Sequence, residues 1–181
     1  MTRSSDRKVR FAVVGCGHIG KRHAEMISRH PEAELVALCD IREADQLGLA
    51  HLNVPLFKDM DALLDGTADL DVVNICTPNG LHAQQCVKAL ENRNNVVCEK
   101  PMGLTKASCE QVIYKALQMH RTVFGVMQNR YSPPSQWIKG VVDQGLLGNV
   151  HMVQLNCYWN RDERYYKQGG WKGTADLDGG T

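Results

Sequence analysis

The sequence predicts an α/β fold built on a doubly wound parallel sheet, and three features carry that expectation. Six short apolar runs punctuate the chain as far as residue 126, helix-period segments separate them, and the runs are continuous rather than alternating in polarity. Unbroken apolar runs mark strands covered on both faces, and strand–helix alternation marks parallel crossover units.

In chain order the runs are Phe11–Val14, Leu35–Cys39, a weaker one at Val54–Phe57, Val72–Cys76, Val96–Cys98 and Val123–Val126. Between them, Ala83, Cys86, Val87 and Leu90 fall at i, i+3, i+4, i+7. Cys109, Val112, Ile113 and Ala116 repeat that spacing behind Thr105, a good N-cap residue. The character changes after Val126. Ser132-Pro133-Pro134-Ser135 reads as a connection and helix start, with a stripe of Trp137, Ile138, Val141 and Val142 ending near Gly145. Val150 to Trp159 reads as one longer strand, and the Gly-, Tyr- and Trp-rich tail has no clean period. The expected division is a first domain over residues 1–127 and the start of an incomplete α+β domain over 128–181.

Composition narrows the function. Of the 181 residues, 43% are hydrophobic and 23% charged, and the net charge of +1 is spread without a basic block. Nucleic acid is not an expected partner. No apolar run reaches the length of a membrane span, and the one after the basic start is too short for a signal peptide. The seven cysteines are odd in number, include no Cys-x-x-Cys pair, and several end apolar runs as small hydrophobes. A cytoplasmic protein with no disulfide framework and no metal site is the expectation.

The first motif with chemistry in it is Gly15-Cys16-Gly17-His18-Ile19-Gly20. Glycines are common in turns, so its setting matters: it follows the Phe11–Val14 run and opens a segment with Ile19, Ala24 and Ile27. There Gly15 permits the tight turn, Gly17 lets the backbone approach a pyrophosphate, and Gly20 lets the helix pack closely on the strand. The helix start offers free N–H groups and the positive end of its dipole to the phosphates. This is the Rossmann fingerprint. Asp40 ends the second run about twenty residues on, where an acid meets the adenosine ribose hydroxyls. With its neighbours Ile41 and Arg42 it frames the adenosine end. A carboxylate there repels a 2′-phosphate, so NAD is favoured over NADP, although Arg42 could soften that preference. Asp40 read simply as a cap for the next helix is the plainer alternative.

The second motif is Val96-Val97-Cys98-Glu99-Lys100-Pro101. A lysine at the carboxyl end of a buried strand stands on the edge where open α/β sheets bind ligands, and the proline disfavours a helical backbone before it. Beside an oxidised nicotinamide an amine loses its proton more readily, and a neutral amine can accept the proton of a substrate hydroxyl as hydride leaves. The competing reading is a solvated lysine at a strand end.

Gly-x-Gly-x-x-Gly at 15–20, Thr77-Pro78-Asn79 with His82, and Glu99-Lys100-Pro101 occur in an order that resembles the glucose-fructose oxidoreductase / inositol dehydrogenase family, Gfo/Idh/MocA. The stretch from Gln128-Asn129-Arg130-Tyr131 to Gly145-Leu146-Leu147-Gly148 is similar to that family's passage into its second domain. The resemblance implies hydride transfer from a hydroxyl of a sugar or polyol to NAD, with Lys100 as acid/base and the backbone around Glu99 near the nicotinamide ribose. It also implies that Thr77, Pro78, Asn79 and His82 lie along the cofactor and Gln128 near its nicotinamide end. His82 read as a packing or capping residue is the alternative. Arg161-Asp162, Tyr165-Tyr166, Trp171-Lys172 and Asp178-Gly179-Gly180 resemble a branch that oxidises UDP-N-acetylglucosaminuronic acid. There the tryptophan and the next residue approach the cofactor, which points to Trp171 and Lys172. Lys172 stands where that branch has arginine, and so lacks the planar fork. The resemblance further implies a homo-oligomer at full length and a histidine partner for the lysine beyond Thr181. A non-catalytic NAD-binding sensor module is the alternative from another class, and a related reductase of imines or aldehydes a third.

Overall fold

In the computed structural model, residues 7–166 and 169–179 are described. The chain divides into two compact units: one runs to Val126 and resumes at Gly173, and the other spans Met127–Lys172.

The first unit alternates strand and helix throughout. Its elements are β1 (Val9–Val14), α1 (His18–Arg29), β2 (Ala33–Cys39), α2 (Ala44–Leu47), β3 (Leu56–Phe57), α3 (Met60–Gly66), β4 (Val72–Ile75), α4 (His82–Glu91), β5 (Asn95–Cys98), α5 (Lys106–Met119) and β6 (Val123–Gly125). The strands form one parallel sheet in the order β3-β2-β1-β4-β5-β6. Each apolar run singled out in the sequence contributes a strand. Thr105 caps α5 by accepting from Ser108 N–H, with the Ser108 hydroxyl reaching back.

One face of the sheet is packed along its length and the other over the central strands β2, β1 and β4, which explains the unbroken apolar runs there, while Phe124 of β6 is exposed. On one face Ala12, Val14, Val73, Ile75, Val96 and Cys98 meet Leu63, Cys86, Leu90 and Val112 from α3, α4 and α5. On the other, Val13, Leu35 and Leu38 meet Ala24 and Ile27 of α1 with Leu47 and Leu49. A fully buried leucine such as Leu63 or Leu90 contributes about 1.5–3 kcal/mol. All seven cysteines are free thiols, and five of them lie in this core. Among the described residues no helix is long and apolar enough to cross a membrane.

The tail differs from expectation. Residues 173–179, grouped above with the second domain, return to the first unit as a short helix, α7 (Ala175–Asp178), once α6 (Pro133–Asp143) is counted in the second. Asp178 accounts for the return: its Oδ1 accepts from Asn79 Nδ2 at 2.9 Å and its Oδ2 from Gly173 N–H at 2.7 Å. The approach is close enough that a Cβ on Gly80 would stand 2.0 Å from the Asp176 carbonyl oxygen.

The second unit holds α6, capped by Ser132 with proline in its first turn, whose stripe residues Trp137 and Ile138 are exposed. The strand expected over residues 150–159 is absent. A strand's N–H and C=O groups need a neighbouring ladder, and no described residues of this unit provide one. Met152, Val153, Leu155 and Tyr158 there are exposed.

Candidate active site

Register places the site. Val14 pairs with Cys39 and with Ile75, Ile75 pairs with Cys98, and Cys98 with Gly125. The residues one step beyond are therefore level: Gly15, Asp40, Cys76 and Glu99 form a row along the carboxyl edge. Backbone bonds fix the row, from Gly15 N–H to Cys39, Cys76 N–H to Val14 and Glu99 N–H to Ile75. β1 and β4 lie side by side while the chain winds outward both ways from them, which is the switch point where such sheets bind ligands.

The glycine loop sits at that point. Gly15 has φ of +87°, and an added Cβ would lie 2.7 Å from the Thr77 nitrogen. At Gly20 a Cβ would fall 1.9 Å from the Gly15 carbonyl oxygen, so the helix turns against the loop as closely as backbone permits. Gly17 is different: nothing lies within 4 Å of a Cβ there. It is the N-cap of α1, and no side chain caps the helix in its place. His18 is exposed and Ile19 half-buried at the mouth. Cys16 points inward, where burial and then Asp40 push its thiol up to about 11, so it packs as a neutral group.

Asp40 is 8% exposed, and its carboxylate accepts four hydrogen bonds. Oδ2 accepts from Cys16 N–H at 2.7 Å and from Arg42 Nη2 at 2.8 Å, while Oδ1 accepts from the Arg42 backbone N–H and Nε, both at 2.9 Å. Burial works against the charge, but the Arg42 and Cys16 bonds outweigh it and hold the carboxyl below its ordinary range. Ile41 stands 88% exposed beside the pair.

Thr77, Pro78 and Asn79 follow β4 and are half-buried. The Thr77 hydroxyl donates to Gln85 Oε1 at 2.5 Å, and Asn79 is held by Asp178. Across from them Lys100 is exposed and Glu99 buried, and the Lys100–Pro101 peptide is cis. Glu99 closes a half-buried relay: Asn74 Nδ2 donates to His23 Nδ1 at 2.9 Å, leaving Nε2 to donate to Glu99 Oε1 at 3.1 Å. Its Oε2 accepts from Lys100 N–H at 3.2 Å. Burial opposes the charge on Glu99, yet the His23 bond and then the Lys100 N–H outweigh it and lower its pKa. For Asp40 and Glu99 alike the stabilisation is complete above the ordinary carboxylate value and is lost as pH falls through the depressed one.

Thirteen of the residues singled out in the sequence thus share one sheet edge: Gly15, Gly17, His18, Ile19, Gly20, Asp40, Ile41, Arg42, Thr77, Pro78, Asn79, Glu99 and Lys100. His82 is a correction. It is 1% exposed with both ring nitrogens occupied by backbone carbonyls, so it has no atom to offer a cofactor. Gln128, Trp171 and Lys172 belong to the second unit, where Gln128 is exposed and Lys172 Nζ lies 3.7 Å from the centre of the Tyr165 ring. His23 and Asn74 were not singled out, and Asp178 was named only within Asp178-Gly179-Gly180, with no role at the site. Asn74 did leave a signal, as the one polar residue inside an apolar strand, because a buried amide needs a partner.

A parallel 3-2-1-4-5-6 sheet with a Gly-x-Gly-x-x-Gly turn at its switch point and an acid after the second strand defines a dinucleotide-binding Rossmann domain. Residues 9–126 match the oxidoreductase family with an NAD-binding Rossmann fold known as GFO_IDH_MocA. The chain belongs to that family. Among curated relatives, it is 29% identical to the D-glucoside 3-dehydrogenase of Escherichia coli (strain K12), over 80% of this chain and 42% of that protein. It is also 29% identical to the inositol 2-dehydrogenase of Rhizobium meliloti (strain 1021), over 81% and 44%. The WlbA dehydrogenase of Chromobacterium violaceum, solved in complex with NADH and UDP-GlcNAcA, superposes with a TM-score of 0.91 at 32% identity, over 98% of this chain and 52% of that one. The chain spans about half the length of these relatives.

Proposed function

We propose that this chain supplies the NAD site and the acid/base of a dehydrogenase that oxidises a hydroxyl of a nucleotide-linked sugar. The observation that carries the reading is the register, which sets Lys100 on the same edge as the glycine loop and one residue beyond the row holding Gly15, Asp40 and Glu99. The residues suit a dinucleotide. Open space at Gly17 and uncapped N–H groups at the start of α1 accept the pyrophosphate. Asp40 and Ile41 receive the adenosine, and Thr77, Pro78 and Asn79 line the way toward Lys100.

Bound NAD supplies the hydride acceptor. Lys100 accepts the proton of the substrate hydroxyl as its carbon gives up hydride, and Glu99 anchors the Lys100 backbone while its own charge is held by His23. Residues 127–172 are read as the start of a substrate domain that carries Gln128, Trp171 and Lys172. Support for a nucleotide sugar over a free polyol comes from extent: the match to WlbA covers 98% of the chain, that to scyllo-inositol dehydrogenase of Lactobacillus casei 81%. We read the full-length protein as a cytoplasmic homo-oligomer, in keeping with its free cysteines and the apolar side chains exposed on the second unit.

The test is NADH formation at 340 nm by the full-length protein with NAD and UDP-N-acetylglucosaminuronic acid, against myo-inositol and a glucoside. Turnover on the inositol alone would overturn the nucleotide-sugar reading, and no turnover with any of them the dehydrogenase reading. A second expectation concerns cofactor choice. Asp40→Ala removes the carboxylate that repels a 2′-phosphate and frees Arg42 to pair with one. A charge-assisted hydrogen-bonded pair is worth about 1.5–3 kcal/mol, so NAD preference over NADP should fall by roughly 10- to 100-fold. Fluorescence titrations with NADH and NADPH measure the ratio, and an unchanged ratio would take Asp40 out of cofactor selection.

A further inference from the structure

His82 opens α4 beneath the surface, between the turn after β4 and the turn after β5. Its Nδ1 lies 2.6 Å from the Pro101 carbonyl oxygen and its Nε2 2.8 Å from that of Thr77. Carbonyl oxygens only accept. A neutral imidazole carries one N–H, so it could satisfy one of these contacts and would press a lone pair against the other oxygen at hydrogen-bond distance. Both bonds form together only when both ring nitrogens bear protons.

We propose that His82 is a positioning residue, held as an imidazolium, that ties the turn carrying Thr77 to the turn carrying Lys100 and so fixes where the amine stands on the cofactor edge. The proposal rests on the reading of Lys100 as the acid/base.

The surroundings suit the charge. The ionisable groups about the ring are thiols: Cys98 from β5, and Cys86 one turn along α4 with Cys109 of α5 acting on it; Glu99 is engaged by His23. The Cys86 hydrogen bond, opposed by burial and helped by His82, lowers the Cys98 thiol to about 6. Cys98 is fully buried beside the ring, and its sulfur is a hydrogen-bond partner of His82. The Cys98 thiol also donates to the Glu99 carbonyl oxygen at 3.2 Å. Burial works against the charge on His82, but the bonds to Cys98, Pro101 and Thr77 outweigh it and raise its pKa. The clamp is therefore complete below the ordinary histidine value and is lost only as pH rises through the raised one.

The deciding experiment is ¹⁵N NMR of the full-length protein labelled at histidine, with His82→Gln used to assign the ring. Two protonated ring nitrogens at pH 7.5 are expected, and one unprotonated nitrogen would overturn the proposal, whether or not the variant folds. The kinetic arm compares kcat against pH for NAD and UDP-N-acetylglucosaminuronic acid. A glutamine offers donors from one atom and cannot bridge both carbonyls. His82→Gln should therefore lower kcat about 10-fold and abolish the alkaline fall of the profile. A folded variant with an unchanged profile would show that His82 only packs. Failure of the Lys100 reading shows separately, as normal turnover in a Lys100 variant with the doubly protonated ring intact.

Discussion

Replacing Lys100 with alanine in the full-length protein should lower kcat by about 10²- to 10⁴-fold, the range for loss of a positioned acid/base. NAD affinity should move little, because the exposed amine touches none of the groups assigned to the pyrophosphate or adenosine. The backbone should also survive, since Glu99 holds the Lys100 N–H and not its side chain. Steady-state kinetics with a parallel NAD titration separate these effects. Near-normal turnover would leave Lys100 as an ordinary strand-end lysine.

A paired substitution in the glycine loop should split stability from binding. Gly20→Ala drives a methyl to 1.9 Å from the Gly15 carbonyl oxygen, and the obstacle is backbone with no side-chain end to swing aside. A loss of about 3 kcal/mol is expected, read as a lower denaturation midpoint, with NAD affinity falling as the loop distorts. Gly17→Ala meets no protein atom, so stability should stay within about 0.5 kcal/mol. Its methyl would still occupy the room left for a phosphate, and NAD affinity should fall at least 10-fold, the approach that this glycine permits. Equal NAD affinity in the Gly17 variant and the parent would move the pyrophosphate elsewhere.

The sheet was legible because its central strands β2, β1 and β4 are covered on both faces, which leaves continuous runs such as Leu35–Cys39 and Val72–Cys76 that no half-exposed element shows. The glycine loop was legible because each glycine answers a steric demand at fixed spacing. What periodicity cannot report is the partner. The run at residues 150–159 has strand composition, yet a strand exists only as part of a ladder, and the described chain brings it none. The same limit hid the relay through His23 and Asn74, whose members are far apart in sequence, and the hold of Asp178 on Asn79. His82 was legible as a motif residue but not in its role, because the two carbonyls that claim its ring belong to turns on either side of a helix.

The return of the chain at Gly173 bears on how such a protein can change over evolutionary time. The chain leaves the first unit after Val126 and rejoins it at Gly173, so the intervening residues are a closed excursion tethered at both ends. Closing an excursion of this kind depends only weakly on its length: doubling it costs about 0.6 kcal/mol. Segments can therefore be inserted or exchanged between those anchors while the glycine loop and its sheet edge keep their shape, leaving that stretch free to diversify around a fixed scaffold.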